Sequence, residues 1–281
     1  MKYVVHVDSR DRDYSAYPNA NYYRLHVPQN IRYVTSAQVL SAEVPFSFYS
    51  FATARNNVTL TTTLNGNTAN VTIPDGNYTG STISAAVQTL LANAFPTRAF
   101  TCSANATTLR FSVTSNVSND TIGIVANTAT QKSSLAYRLG FPEGVTTTGG
   151  NTGTVIGTYP VSLSPDTYVT LCIDELASSA SLQSASGGIQ MSAKAPIAKL
   201  QIQGQPFAYN FIGNGSEQQG MATVQLNPTI AVLHHVTASL RFHDGSLVNL
   251  SNADEYSFSM LLNTDSDIQR QETSGVTRIR Q

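Results

Sequence analysis

Charged side chains are scarce in this chain. Asp, Glu, Lys and Arg supply 12% of its 281 residues, about half the usual share near 25%. With a net charge of −1 there is no electrostatic footprint for nucleic acid, so no sequence-specific nucleic-acid partner is expected. Soluble monomers tend to carry more charge. The shortage therefore suits a subunit packed by neighbours, or it reflects an Asn/Thr-rich composition. Only two cysteines occur, Cys102 and Cys172, far apart. They make no disulfide framework and fit a reducing compartment. Tryptophan is absent, which weakens a sugar-stacking reading, although 13 tyrosines keep stacking available. No apolar run approaches the roughly 20 residues of a spanning helix. The opening MKYVVHVDSR is too short and too soon charged for a signal peptide. The sequons at Asn57, Asn77, Asn105 and Asn214 are accordingly read as products of composition.

What is present is β-patterned. The chain is organised around Ser9–Phe51. Tyr23, Leu25 and Val27 alternate with Tyr22, Arg24 and His26 until Pro28, which is expected to close that strand. A second run over Arg32–Val44 carries Val34, Leu40, Ala42 and Val44 on one face and Tyr33, Ala37 and Val39 on the other. Apolar residues on both faces predict a strand covered on both sides.

Farther along, Val58–Leu64 and Val71–Ile73 flank Asn65-Gly66, a tight hairpin turn. A single helix is predicted from Ser81 to Phe95. Ile83, Ala86, Val87, Leu90, Leu91, Ala94 and Phe95 form its stripe, with Ser81 or Thr82 as cap and Pro96 as stop. A second hairpin joins Phe100–Cys102 to Leu109–Val113, and Ser133–Leu139 reads as a short helix ending at Gly140. Residues 143–165 read as linker or loop, and 177–195 as a low-complexity Ser/Ala/Gly stretch. Tyr168–Asp174, Val236–Phe242 and Tyr256–Leu262 are further strands. The last two are expected to pair antiparallel with each other, burying Leu240 and Phe258.

Catalytic and metal chemistry finds no constellation. His234 and His235 are adjacent and point apart in a strand. Neither cysteine sits in a CxxC, and GxSxG, P-loop and dinucleotide motifs are missing. Asp11 and Asp13 lack the Gly and Glu that a calcium loop needs. Asp174-Glu175 and Asp254-Glu255 would frame a glycosidase site only if they converged; acidic pairs at strand ends are ordinarily surface. No enzyme, cofactor, catalytic residue or metal is expected.

Several blocks carry a resemblance. SRDRDYSAYPNANYYRLHVPQNI with SAEVPFSFY, VTIPDGNYTGSTISAAVQTLL with SSLAYRLGFP, DTYVTLCIDEL, NPTIAVLHHVTASLRFHDGSLVNL and DEYSFSMLL together resemble penton and minor capsid proteins of nucleocytoplasmic large DNA viruses and virophages. They are specific as a set and weak singly. The resemblance implies a mainly β subunit, a jelly-roll antiparallel β-sandwich with a small α+β insertion. We assign residues 1–51 and 158–263 to the jelly roll, 56–142 to the insertion and 264–281 to a C-terminal arm.

It further implies a structural capsid protein of the virion, assembled in the host cytoplasm. The expected form is a penton: a homopentamer at the icosahedral vertices, contacting the major capsid protein and other minor capsid proteins, without a membrane span. The alternatives are another minor capsid (cement) protein or a glycan-binding host-attachment β-sandwich. Arg10, Asp11, Arg12 and Asp13 would pair across subunits, and Arg270, Arg278 and Arg280 would sit on an arm that orders on neighbouring shell proteins.

Overall fold

The structure, a computed structural model, describes residues 1–126, 134–142, 146–163, 166–179, 196–202, 209–213, 223–243, 245–250 and 254–265. Most of the Ser/Ala/Gly stretch and the arm beyond Asp265, with Arg270, Arg278 and Arg280, lies outside them. The chain divides into two compact units. Met1–Phe48 forms one with the described residues from Asp166 onward, and Tyr49–Pro165 forms the other.

The first unit opens with β1 (Lys2–Asp8) and β2 (Tyr22–Pro45). The second unit then runs β3 (Thr59–Leu64), β4 (Asn67–Thr72), α1 (Gly80–Ala94), β5 (Phe100–Ala104), β6 (Arg110–Ser115), β7 (Ile122–Val125), α2 (Leu135–Arg138), β8 (Thr146–Thr148) and β9 (Thr154–Pro160). Asn65-Gly66 turns β3 into β4 with φ of 50° and 84°, the left-handed pair that a tight hairpin requires. Helix α1 starts one residue before its expected position. Thr79 is the cap, and it exchanges hydrogen bonds with Thr82 as a capping box. Its inner face buries Ile83, Val87 and Leu91. They join Leu60, Phe111 and Ile124 in a core of this unit's own.

Two sheets build the second unit, in orders β4-β3-β7-β8 and β5-β6-β9. This corrects the boundaries read from the sequence. Residues 143–165 are not simply a linker: β8 pairs with β7, and β9 pairs with β6 through Val113 opposite Val155. The jelly roll resumes at Asp166, not 158, and its first segment ends at Phe48, since Phe51 belongs to the second core. Gly140 is what lets the end of β9 come this close. It has φ +88°, and a Cβ at this position would sit 2.1 Å from the Tyr159 carbonyl oxygen.

The chain then returns as β10 (Tyr168–Ile173), β11 (Pro196–Gln201), β12 (Tyr209–Gly213), β13 (Val224–Arg241) and β14 (Ser257–Thr264). All pairings are antiparallel. β2 and β13, at 24 and 18 residues, far exceed the usual strand of about 5–6, because each serves two layers. The first half of β2 pairs with the second half of β13, which pairs with β10, and β10 with β11. The second half of β2 pairs with β14 and β12, and β14 with β1. These are the two four-stranded layers of a jelly roll. Tyr23, Leu171, Val236 and Leu240 from one layer share a core with Val7, Val39, Phe258 and Met260 from the other.

Three expectations change here. Pro28 does not end a strand. It lies at the corner, where pairing jumps from His26–His235 to Ile31–Leu233, so its missing N–H breaks no ladder bond. Leu240 and Phe258 are buried as expected, but β13 and β14 do not pair; β2 runs between them. Nor is β2 covered on both faces. Its ladder with β14 slips between Ser259 and Met260, which face Ser41 and Val39, leaving Leu40 as an extra residue. A bulge swaps the faces, so Ala37 and Val39 before it and Ala42 and Val44 after it all enter one core.

Candidate interaction surface

The charged loop after β1 is the most distinctive local sequence. Ser9–Asp11 form a 3-10 turn capped by Asp8, which accepts from the Arg10 backbone N–H at 2.9 Å. The Arg10 side chain folds back on the same carboxylate, Nε at 2.9 Å from Oδ1, and this contact holds Asp8 below the ordinary carboxylate range. The Arg10 side chain stays 70% exposed, so the pair contributes little to stability. Asp11 is exposed. Asp13 accepts from the N–H and Oγ of Ser15 at 2.9 and 2.6 Å, contacts that lower its pKa. It holds an exposed turn.

Arg12 is different and corrects the expected interface. Only 4% of it is exposed. Its Nε donates to the Tyr17 carbonyl at 2.8 Å, one terminal nitrogen to the Ser9 carbonyl at 2.7 Å, and the other to the Pro18 carbonyl at 3.2 Å. The guanidinium also pairs with Glu255 and lies 4.2 Å from the Tyr14 ring centroid. Glu255 accepts from Ser9 Oγ at 2.5 Å, and Ser9 is tied through both N–H and Oγ to the Tyr256 backbone. A planar fork of donors suits such a convergence of oxygens. Arg12 therefore clamps the loop to the start of β14 within one subunit and is not available to a neighbour. Of the four charged residues, the structure leaves Arg10, Asp11 and Asp13 facing outward.

The glutamates of the two acidic pairs are likewise engaged locally. Where the β10–β13 ladder ends at Ile173–Ala238, Glu175 takes over the next donor. It accepts the Thr237 N–H at 2.7 Å and Thr237 Oγ1 at 2.6 Å, and His235 Nε2 lies 3.0 Å away. His234 turns instead to Asn30 at 2.8 Å. Glu255 belongs to the Arg12 clamp. Glu175 and Glu255 thus sit in separate networks, each engaged by backbone or side-chain donors. Among the described residues no group of three or more His, Cys, Asp or Glu side chains is placed to hold a metal, and no helix is long and apolar enough to cross a membrane.

Sequence reasoning missed one network entirely. Asp120, buried in the second unit, accepts from Arg98 Nε at 2.7 Å, Ser115 Oγ at 2.6 Å and Asn65 Nδ2 at 2.8 Å. The Arg98 contact, then those of Ser115 and Asn65, bring its pKa down to about 2. The available signal was scarcity: between 49 and 165 the only acidic residues are Asp75, Asp120 and Glu143.

Residues 1–259 match the family described as "Family of unknown function (DUF5901)". No curated protein matches the chain. Among solved structures, the mavirus penton protein, determined by crystallography, is similar over 94% of this chain and 99% of its own, at 11% identity and a TM-score of 0.51. A chain of the Sputnik virophage structure, determined by cryo-electron microscopy, aligns over 95% of this chain and 98% of its own, at 11% identity and a TM-score of 0.42. At such identity the mavirus likeness is one of fold: a virophage penton-like architecture spanning both units.

Proposed function

The chain belongs to the Family of unknown function (DUF5901), and on that premise we propose that it is a structural subunit of a viral capsid. The observation that carries this reading is the end-to-end fold likeness to the mavirus penton protein, across both units and nearly all of each chain. The sparse charge agrees with a surface made to be covered. The engagement of Glu175 and Glu255 in separate local networks of donors is consistent with this reading.

The finer reading is a penton: a homopentamer at icosahedral vertices, in contact with the major capsid protein and other minor capsid proteins of a virion assembled in the host cytoplasm. A ring of five requires a heterologous interface that closes. Arg10, Asp11 and Asp13 are the loop charges placed to set its register, with Arg270, Arg278 and Arg280 of the arm reaching shell neighbours.

Mass photometry of the purified chain tests the ring. Five copies of 30.1 kDa give a species of about 150 kDa, and a species at the monomer mass alone counts against it. A particle reconstruction then tests position. Density for this chain away from the fivefold axis would remove the penton assignment and leave another minor capsid role. Its absence from purified particles would remove the capsid reading.

A further inference from the structure

The turn between β3 and β4 is fastened to the rest of the second unit by one side chain. Asn65 and Gly66 are both exposed, yet the Asn65 carboxamide has both ends engaged. Its Nδ2 donates to Asp120 Oδ1 at 2.8 Å, and its Oδ1 accepts the Thr121 backbone N–H at 2.8 Å. The Asn65 backbone N–H donates in turn to the Thr121 carbonyl at 2.9 Å. An exposed residue is thus clamped at three points to the segment that leads into β7. Asp120 itself is buried and also held by Arg98 and Ser115.

Asn followed by Gly is the dipeptide most prone to lose its side-chain amide, because glycine puts no side chain in the way of the reaction. The backbone nitrogen of Gly66 attacks Cγ of Asn65 and closes a succinimide ring. The Cγ–Nδ2 bond breaks, and ammonia leaves with the proton that the Gly66 nitrogen gives up. Water then opens the ring. Splitting the new bond at Cγ leaves Asp, and splitting the bond to the main-chain carbonyl carbon of residue 65 leaves isoaspartate. The balance is amide plus water to acid plus ammonia. Space around the turn offers no obstacle, since nothing lies within 4 Å of where a Cβ on Gly66 would stand. The clamp does. Nδ2 cannot depart without breaking its bond to Asp120, and Asp120, with its pKa near 2, is an ionised acceptor with no proton to give the leaving group.

We propose that Asn65-Gly66 is a deamidation site kept slow by the Asp120–Thr121 clamp, and that its conversion irreversibly loosens the second unit. The product cannot keep the clamp. Asp at position 65 sets a second carboxylate against Asp120 where a donor stood, so like charges face each other at hydrogen-bond distance and the buried Asp120 loses a partner. Isoaspartate does further damage. It routes the main chain through the side-chain carbon and lengthens a turn whose two residues set the β3–β4 register. The inference does not depend on the capsid reading.

The test ages the purified full chain in mildly alkaline buffer, with and without urea, and reads amide loss at residue 65 by peptide mapping and mass spectrometry. The native chain should convert at least about tenfold more slowly than the urea-unfolded chain, because the clamp must open first. Asp120→Ala should speed native conversion about tenfold. Leu91→Ala loosens the core of the same unit without touching the clamp, and should speed it less when the two variants are aged equally far below their melting temperatures. If Asp120→Ala does not fold, Asn65→Asp supplies the product directly. It should melt below the wild type at neutral pH, and the gap should narrow as the pH falls and the facing carboxylates take up a proton. Equal rates in native buffer and urea, no acceleration in a folded Asp120→Ala, equal acceleration by Leu91→Ala, or wild-type melting of Asn65→Asp at neutral pH would each overturn the proposal.

Discussion

Among the described residues, each of the two units ties its loops with one buried charge, and the charges have opposite sign. In the jelly roll it is Arg12, which gathers three carbonyls and the Glu255 carboxylate. In the second unit it is Asp120, which gathers an arginine, a serine hydroxyl and an asparagine amide. Arg12 satisfies backbone carbonyls that no ladder reaches, whereas the donors gathered by Asp120 are all side chains; in both, the buried group is partnered, as buried polar groups require. The surrounding sequence hides the role in one case and nearly reveals it in the other. Arg12 stands in an alternating charge run that resembles an exposed patch, whereas Asp120 is conspicuous among very few acidic neighbours.

The sharpest way to break the comparison is to remove the buried cation. Arg12→Ala removes the guanidinium from Glu255 and from three carbonyls and should cost about 3–5 kcal/mol. Denaturant unfolding of the full chain would show the loss, and Arg12→Lys should recover only part of it, since an ammonium lacks the planar fork. A loss near zero would mean the clamp is ornamental.

Next come matched truncations of the two cores. Leu240→Ala in the first and Leu91→Ala in the second remove residues that are fully buried, and each should cost about 2–5 kcal/mol. Near-ultraviolet circular dichroism paired with limited proteolysis would report whether each change loosens its own unit first. A cost under about 0.5 kcal/mol, the scale of a surface change, would place either residue wrongly.

Asp120 sharpens the comparison through pH. Its folded pKa is about 2 against an unreacted value of 3.8. The unfolded chain therefore takes up the proton first as pH falls. The stability contributed by Asp120 is complete above about pH 4 and is lost as the pH drops toward 2. Asp120→Asn should destabilise the second unit at neutral pH and flatten its acid transition in this window, as followed by thermal melts at stepped pH. An unchanged acid slope would remove Asp120 from its proposed role.

The smallest stability effect is expected at the outward charges. Arg10→Glu combined with Asp11→Arg should change unfolding by less than about 0.5 kcal/mol, yet reduce the 150 kDa species in mass photometry if this loop sets the register of a ring. A variant that assembles as well as the wild type would move the interface elsewhere.

Much of the local structure is legible in the sequence. Period-2 runs marked the strands around Tyr23, Val236 and Phe258, and the period-3.6 stripe marked α1. Asn65-Gly66 marked its hairpin, and Gly140 its left-handed position. β8 and β9 escaped because Val155 and Ile156 are nearly alone among Thr and Gly, too few apolar residues for any period. Of the loop charges proposed for an interface, Arg10, Asp11 and Asp13 are exposed, and Arg12 is buried.

What the amino-acid sequence determined by itself was therefore the set of elements and most of the apolar residues each would bury, because those follow from backbone periodicity and turn chemistry acting over a few residues. Only the tertiary structure decided where the ladders slip, which strand lies between which, and which charge is buried. The bulge at Leu40 is set by pairing with β14 more than 200 residues away, and it turns two apparent apolar faces into one. Arg12 is drawn inward by Glu255, 243 positions along the chain. Neither partner is visible in a local window, because the free energy that fixes these positions resides in contacts that exist only after the two halves of the jelly roll have met.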